Sequence, residues 1–426
     1  MIEILLLFLI LFSLIAIGVP IHVSLGLSGI MFFIAEGLPL TAATQTIING
    51  TNSFPLIAIP FFIFAGHLMN SSQVTDRIFS FARSLVGWMP GGLGHVNVGS
   101  SVIFAGMSGA AVADAGGLGA IEIKAMQDAG YDKKFAVGLT AASSTIGPII
   151  PPSLALIIYG VIAEVSIGKL FLAGIIPGLI MMTALMVMVT WFAVKRDYPK
   201  DATFRWTTVL STGQRAILPI MTPVLIIGGI LTGAFTPTES AVAAVFYTLL
   251  LGTVFYRTLT LNTIINDAIE TIKTTAAVMM IVASAAIFAW ALTAGQAAEL
   301  LTDELVPLTS SPTMLLFVVM AIVFIIGFFM ETIAAITILV PLLLPACLAA
   351  GVDPVHLGIV LVLNLMIGLL TPPVGMVLYV LAKVSNTKFE DCVKAVIPFL
   401  VPLIAVLILL VIFPQLSLWL PEYVDR

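Results

Sequence analysis

The sequence contains little charge and almost no cysteine, and each shortage excludes a class of protein. Asp, Glu, Lys and Arg make up 9% of the 426 residues, whereas soluble domains carry about 25%. Hydrophobic residues make up 60%, and the mean hydropathy is +1.18. We therefore expect an all-α polytopic membrane protein with about 10–12 transmembrane helices. With only two cysteines, Cys347 and Cys392, a disulfide framework is excluded.

Motifs that would indicate nucleotide, metal or nucleic-acid chemistry are also missing. There is no G-x-x-x-x-G-K-[ST] loop, which fits an ion-driven process rather than an ATP-driven one. The four histidines show no metal-ligand spacing. We expect no enzymatic activity, no organic cofactor and no nucleic-acid partner. The N-terminal apolar run lacks the basic region of a signal peptide, so we interpret it as a retained first helix.

One pattern occurs twice in the chain, 221 residues apart. The sequence GPIIPP at 147–152 corresponds to GLLTPP at 368–373, and AGYD at 129–132 corresponds to AGVD at 350–353. Across residues 105–152, 11 of 48 positions are identical to those 221 further on. The chain is therefore predicted to contain two copies of one unit.

Each copy has a proline pair inside an apolar stretch, and we predict a broken helix there. Proline lacks an N–H group and clashes with the preceding turn. Unpaired backbone at bilayer depth is tolerated only where it is buried in protein or lines a wet cavity. A simple kink would explain one such pair. Two pairs at one repeat offset favour the paired broken helices that mark a transporter's binding site.

Two long apolar stretches, 92–127 and 311–349, precede the broken helices and have small or polar residues midway. We interpret both as re-entrant hairpins with arms of about 16 residues. A pair of tight spans is the alternative. Amphipathic segments at 73–88 and 296–307 precede the hairpins at matching places, and we interpret them as arm helices near the membrane interface.

The distribution of basic residues predicts the orientation. With the N-terminus outside and each hairpin returning to its own side, 15 of the 17 Lys and Arg residues face the cytoplasm. Only Lys169 and Arg426 fall outside. Repeat 1, about 1–194, then has an odd number of crossings, so repeat 2, about 216–414, is inverted. We expect a multi-pass protein of the bacterial inner membrane with both termini in the periplasm.

Few polar side chains lie at the predicted membrane depth, so those present are candidates for a binding site. They are Ser108 and Asp114 near the first hairpin tip, Glu331 and Thr332 at the second tip, Ser143, Ser144 and Thr145 before the first break, and Asn364 and Thr371 around the second break. No Lys or Arg is predicted there, so a bound cation, protonation or capping of a helix start would have to offset the carboxylates. A hydroxyl can also simply bond to its own helix backbone.

Broken helices offer ligands for a cation and for an anion. Unwound carbonyl oxygens, joined by hydroxyls, suit a hard cation such as Na⁺. Helix starts carry partial positive charge and free N–H groups, which can hold a carboxylate without a basic side chain. The sequence therefore favours sodium-coupled uptake of an organic acid. Our candidate substrate-binding residues are Asp114, Ser144, Glu331 and Asn364, and no catalytic residue is expected.

These motifs resemble the large membrane subunit, of the DctM type, of the tripartite ATP-independent periplasmic (TRAP) transporters. The resemblance covers essentially the whole chain. It rests on GMSG at 106–109, ADAGG at 113–117, GPIIPPS at 147–153, MET at 330–332 and TPPVG at 371–375. It implies the ion-transporter superfamily fold, in which a mobile transport domain moves against a scaffold as an elevator.

The resemblance also implies domain limits and sodium ligands. The scaffold would comprise 1–90, 166–308 and 385–426, and the transport domain 91–165 and 309–384. Two or more Na⁺ ions are expected. The resemblance assigns the first to Ser108, Gly147, Ile150 and Pro152, and the second to Thr332, Gly368, Thr371 and Val374. Some relatives carry Ser where this chain has Ala110, so this chain has no hydroxyl group at that position.

The partners that the resemblance implies are a small four-helix membrane subunit of the Q type and a periplasmic substrate-binding protein of the P type. Both would act within the lipid bilayer or at its surface. Family substrates are carboxylates. Sialic acid is our first expectation, and a C4-dicarboxylate or a keto acid is the second.

A rhomboid-like intramembrane serine protease is the strongest rival, because GMSG at 106–109 matches a G-x-S-G motif. A nucleophilic Ser108 needs a base within hydrogen-bond reach, and His356 is the one candidate near a broken helix. A protease leaves the second break unexplained. A channel would not explain why hairpins enter from both sides of the membrane. A helical scaffold without a transport role is the remaining alternative.

Overall fold

A computed structural model describes residues 2–72, 74–307, 309 and 311–424, and leaves the side chains of residues 2, 75 and 106–108 undescribed. In the described residues the chain forms helices and turns, without a β-strand. The α-helices of the first half are α1 (Ile2–Ala16), α2 (Ile21–Ala35), α3 (Leu40–Thr51), α4 (Ala58–Ser71), α5 (Val74–Val86), α6 (Gly92–Ser108), α7 (Ala111–Gly116), α8 (Leu118–Asp128), α9 (Lys133–Ser144), α10 (Leu154–Ile162) and α11 (Ile167–Arg196). Those of the second half are α12 (Trp206–Leu231), α13 (Pro237–Leu250), α14 (Leu261–Ala294), α15 (Ala297–Leu305), α16 (Pro312–Gly327), α17 (Thr332–Ala349), α18 (Pro354–Gly368), α19 (Met376–Ser385), α20 (Phe389–Ile412) and α21 (Gln415–Val424).

Seven of the described helices are long and apolar enough to cross a bilayer. They are Phe54–Ser71, Ile167–Arg196, Trp206–Leu231, Pro237–Phe255, Leu261–Ala294, Thr332–Ala349 and Phe389–Ile412. Five shorter apolar helices of 10–17 residues accompany them, among them parts of the hairpins and the broken helices. The prediction of an all-α polytopic membrane protein is confirmed.

The repeated AGxD motif ends a hairpin and starts a broken helix in each half. Gly130 and Gly351 have positive φ angles of 86° and 82°, a conformation that glycine adopts without strain at the end of a helix. Asp132 then caps α9 by accepting the Lys134 N–H at 3.0 Å. Asp353 caps α18 by accepting the Val355 N–H at 2.8 Å. The motif is therefore a reversal of chain direction used twice.

Both predicted hairpins are present as packed pairs of helices. α6 packs on α7 and α8, and α16 packs on α17. The return arm of the first hairpin is interrupted between α7 and α8 at Gly117, which has φ −87° and ψ −84°. The return arm of the second hairpin is continuous through Pro341 and Pro345. The single continuous arm expected in the first hairpin is thus two helices, because consecutive glycines at 116 and 117 weaken the helix there.

Both predicted breaks are also present, and each one meets the tip of its own hairpin. α9 ends at Ser144 and α10 begins at Leu154, while α18 ends at Gly368 and α19 begins at Met376. Gly109 lies so close to the first break that a Cβ there would be 2.5 Å from the Pro152 carbonyl oxygen. In the second repeat, the Val374 N–H donates to the Phe328 carbonyl at 3.3 Å. The peptide bonds Pro151–Pro152 and Pro372–Pro373 are both cis.

The two repeats interlock rather than stand side by side. α10 packs on α17 and α18, and α19 packs on α7, α8 and α9. Tyr159 of α10 donates to the Pro354 carbonyl at 2.5 Å, and Gly358 of α18 provides the space for its ring. The second half of each broken helix therefore packs against the hairpin and the broken helix of the other repeat.

The segments predicted as arm helices form α5 and α15, and their position near the membrane interface stays a prediction. Hydropathy misses three elements around them. α12 begins at Trp206, earlier than the expected 216, and packs on α5. Ser84 and Thr212 are 2.8 Å apart across that contact. α3 packs on α14 through Gly50, where a Cβ would lie 2.2 Å from Cβ of Ala286. α21 packs on α11. The domain limits stay a prediction.

Candidate functional site

A cavity of about 350 Å³ lies where both hairpin tips and both breaks meet α14. Its wall is formed by Gly109, Ala110, Ala111, Val112, Pro148, Leu154, Ala155, Thr274, Ala277, Val278, Ile281, Glu331, Thr332, Ile333, Met366, Leu369 and Met376. The volume is within the range of about 300–1,000 Å³ for small-molecule pockets. The wall is mostly apolar, with a few polar groups from the second tip and from α14.

Backbone carbonyl oxygens are left unpaired at the first break. In a continuous helix the Gly147 carbonyl would accept from residue 151, but Pro151 has no N–H group. Among the described residues, no donor reaches the carbonyl oxygens of Gly147, Ile150 or Pro152. The Pro148 carbonyl accepts from Ser153 Oγ at 2.5 Å. The three oxygens expected to bind the first Na⁺ are thus available to a cation.

The second break has a similar set of oxygens. The Gly368 carbonyl would accept from Pro372 in a continuous helix and accepts the Thr371 N–H at 2.9 Å instead. The carbonyl oxygens of Thr371 and Val374 have no donor among the described residues. Thr332 Oγ1 is buried without a hydrogen-bond partner. Thr371 Oγ1 donates to the Ile367 carbonyl at 2.9 Å. These are the groups expected for the second Na⁺.

Four helices begin at the cavity wall: α7, α10, α17 and α19. Two of them are capped by side chains. Ser153 accepts the Leu156 N–H at 3.2 Å, and Glu331 accepts the Ile333 N–H at 2.9 Å. The N-caps of α7 and α19 are Ala110 and Gly375, neither of which makes a side-chain capping bond. The first N–H groups of these two helices have no partner within their helix, so they can receive an anion.

Glu331 is the one predicted substrate-binding residue on the cavity wall. Its carboxylate accepts the N–H groups of Ile333 and Ala334 at 2.9 and 3.2 Å. It therefore holds the start of α17 in place beside the cavity. Capping of a helix start, one of the roles open from the sequence, is the role that the structure gives this side chain.

The other three candidate substrate residues lie behind the wall. Asp114 of α7 is buried, and neither of its oxygens has a hydrogen-bond partner. Ser144 Oγ donates back to the Ala141 carbonyl at 2.8 Å. Asn364 Nδ2 donates to the Met320 carbonyl at 2.7 Å, which ties α18 to α16. Their assignment to substrate binding stays a prediction.

The side chain of Ser108 lies outside the described part of the chain, so its predicted sodium role stays a prediction. The base that a serine protease would need is engaged elsewhere. His356 is buried, and its Nδ1 is 2.7 Å from Ser417 Oγ of α21. The ring packs at the start of α18, far along that helix from the break.

The cavity wall contributed by α14 was not predicted from the sequence. Thr274, Ala277, Val278 and Ile281 follow one another at helical spacing and close the cavity opposite the tips. Thr274, a polar residue on an otherwise apolar face, was the available signal. Its spacing alone could not indicate which helix would pack against it.

Comparison with known families decides the class of protein to which this architecture belongs. The family model of the DctM component of the tripartite ATP-independent periplasmic transporters matches residues 8–416. The chain belongs to this family. It is accordingly the large permease component of a three-part TRAP transporter, and the expected resemblance is confirmed.

Two relatives show how closely the chain follows the family. It is 47% identical over 406 residues to the sialic acid TRAP transporter large permease protein SiaM of Vibrio cholerae, with 95% of both chains covered. It is 43% identical to the sialic acid TRAP transporter permease protein SiaT of Haemophilus influenzae, with 95% of this chain and 66% of SiaT covered. SiaT is therefore longer than the region it shares with this chain.

A solved structure shows the same fold at low sequence identity. The crystal structure of the Alcanivorax borkumensis YdaH transporter, which has an unusual topology, matches with a TM-score of 0.66. The alignment covers 90% of each chain at 15% identity. The predicted transporter fold is thus confirmed independently of close sequence similarity.

We predict that Glu331→Ala abolishes uptake while the protein still inserts into the membrane. Loss of a helix cap costs about 0.5–2 kcal/mol, which would loosen the start of α17 at the cavity without unfolding the chain. Glu239→Ala is the matched control, because Glu239 belongs to the capping box of α13, away from the cavity. Uptake and detergent-extracted yield should be measured for both variants. Equal uptake by the two would remove Glu331 from the site.

Proposed function

We propose that this permease imports a carboxylate-bearing solute, with sialic acid as the substrate, by sodium-coupled secondary active transport across the bacterial inner membrane. The observation that carries the proposal is the juxtaposition at the cavity. The unpaired Pro152 carbonyl oxygen lies beside Gly109, just before the uncapped start of α7, and the unpaired Thr371 carbonyl oxygen lies beside Gly375, the N-cap of α19. The carbonyl oxygens suit Na⁺, and the uncapped helix starts suit a carboxylate.

Neighbouring binding of a cation and an anion gives the coupling its physical basis. A carboxylate buried without a cation is costly, as is a cation without an anion. Occupancy of the sodium sites therefore raises affinity for the substrate, and the reverse holds by thermodynamic linkage. The interlocked tips and breaks would move together against α14 as an elevator.

The partners that we propose are a small four-helix membrane subunit and a periplasmic substrate-binding protein. The family is described as tripartite and periplasmic, which supports two further components. SiaT carries about a third of its length outside the matched region, which supports a small subunit as a further component. We also propose that both termini of this chain lie in the periplasm, as the distribution of Lys and Arg predicts.

Reconstituted vesicles test the function. Vesicles containing this permease and its small partner should accumulate labelled sialic acid only with an inward Na⁺ gradient and with the binding protein present. Replacing the Na⁺ gradient by K⁺ should abolish accumulation. Uptake that persists without sodium would overturn the coupling. Uptake of a C4-dicarboxylate in place of sialic acid would contradict the substrate assignment but not the proposal of sodium-coupled transport.

We predict that Pro151→Ala weakens the sodium response. Alanine restores an N–H group four residues after Gly147, and a hydrogen bond of about 0.5–1.5 kcal/mol would occupy the carbonyl oxygen offered to Na⁺. The sodium concentration for half-maximal uptake should rise by up to about tenfold. Pro398→Ala in the unbroken helix α20 is the control. An unchanged sodium response in Pro151→Ala would contradict the carbonyl-ligand assignment.

We predict that Ala110→Asp raises the KM for the substrate. The new carboxylate would cap α7 and occupy N–H groups that the substrate carboxylate needs. Gln296→Asp supplies the same change at the exposed, uncapped start of α15 and should leave uptake unaltered. A KM in Ala110→Asp equal to that of the wild type would exclude the start of α7 from substrate binding.

A further inference from the structure

A buried polar network fills the first hairpin away from the cavity. Asn97 Nδ2 donates to Glu122 Oε2 at 2.5 Å and to Thr140 Oγ1 at 2.8 Å. Ser143 Oγ donates to Asn97 Oδ1 at 2.8 Å, and Ser101 Oγ donates to Ser143 Oγ at 3.2 Å. The chain of bonds thus ties α6, α8 and α9 together.

Glu122 is at the centre of this network and is only 1% exposed. No basic side chain among the described residues forms an ion pair with it. A carboxylate that is buried without a cation is costly, so a neutral carboxylic acid is the form that burial favours. A neutral Glu122 also needs a neighbouring group that accepts a hydrogen bond from its O–H.

Counting hydrogens places that proton between Glu122 and Ser100. Ser100 has one hydroxyl hydrogen, and the Val96 carbonyl lies 2.6 Å from its Oγ. Glu122 Oε1 also contacts Ser100 Oγ, and this second contact needs a hydrogen of its own. A protonated Glu122 supplies it, so Ser100 keeps its own hydrogen for the carbonyl groups of Val96 and Asn97, which lie 2.6 and 3.1 Å from its Oγ.

The ionisable groups on the elements packed around α8 do not offer an alternative. From α7, the buried Asp114 is a second carboxyl group rather than a cation, and it has no hydrogen-bond partner. From α6, His95 is turned toward Thr190 of α11 at 3.2 Å. The others are Lys133 and Lys134 at the exposed start of α9, Tyr379 and Lys383 on the exposed side of α19, and Lys124 and Asp128 on the exposed side of α8 itself.

We propose that Glu122 is a proton-binding site of the first hairpin, that it donates its proton to Ser100 at neutral pH, and that loss of this proton at alkaline pH loosens the hairpin and lowers uptake. An ionised Glu122 would leave Ser100 without the second hydrogen and place an unpaired charge beside Asp114. Stability associated with this proton is present at low and neutral pH and is lost as the pH rises.

Glu122→Gln tests the proposal, because glutamine offers the same acceptor and a permanent donor. The infrared carbonyl band of a protonated carboxylic acid should be present in the wild type at neutral pH and reduced in Glu122→Gln. It should be unchanged in Glu299→Gln, which alters an exposed carboxylate on α15. Identical bands in the wild type and Glu122→Gln would overturn the proposal.

The pH dependence of stability and of uptake is the second test. The thermal midpoint and the uptake of the wild type should fall between neutral and alkaline pH, whereas those of Glu122→Gln should stay level. Parallel curves for the two proteins would overturn the proposed pH effect. The uptake measurement rests on the proposed function, and the infrared and thermal measurements do not, so a wild type that fails to transport sialic acid counts against the function alone.

Two reciprocal substitutions, at positions 97 and 122, distinguish the loss of one specific bond from a variant that simply fails to fold. Asn97→Asp would set two carboxyl groups against each other and lower the thermal midpoint. Combining it with Glu122→Gln restores one donor and one acceptor at the contact, so the double variant should recover most of the loss. A double variant as unstable as the sum of the two single variants would show that the two side chains do not share this bond.

Discussion

The structure depends on the rule that a backbone carbonyl in a dry environment must find a partner. Two proline pairs remove the N–H groups that would have bonded to carbonyls one turn earlier. The oxygen of Gly147 is consequently unpaired, and the oxygen of Thr371 has no donor because the helix does not continue to residue 375. The hairpin tips lie against both breaks, the first of which is buried inside protein, and a small cavity remains between them.

Inversion of the repeats determines which backbone groups surround the cavity. Because α10 packs on the second hairpin and α19 on the first, helix starts from both halves point at one place. Helix starts and bare carbonyls have opposite partial charges. Groups of both partial charges therefore lie close together without a lysine or an arginine, which is how so few charged residues would bind the proposed acid and its cation.

The sequence was sufficient to predict the features that local rules govern. The AGxD motifs, the proline pairs and the distribution of Lys and Arg predicted the reversals, the breaks and the inverted repeats. The wall from α14 and the bonds of Glu122 could not be predicted, because they depend on which helices pack together. Glu122 is two residues before Lys124 in an arm predicted to reach the cytoplasm, and nothing in that spacing indicates burial.

The uncapped starts of α7 and α19 have a consequence for how selectivity can evolve in this fold. Their donors belong to the peptide backbone, so ordinary side-chain replacements leave them intact. Lining side chains such as Ala277 and Met366 can change without removing these donors. Under the proposed function, the binding of the acid group would be retained while mutations in the surrounding side chains reshape the space for the rest of the substrate, so one fold could come to carry quite different acids.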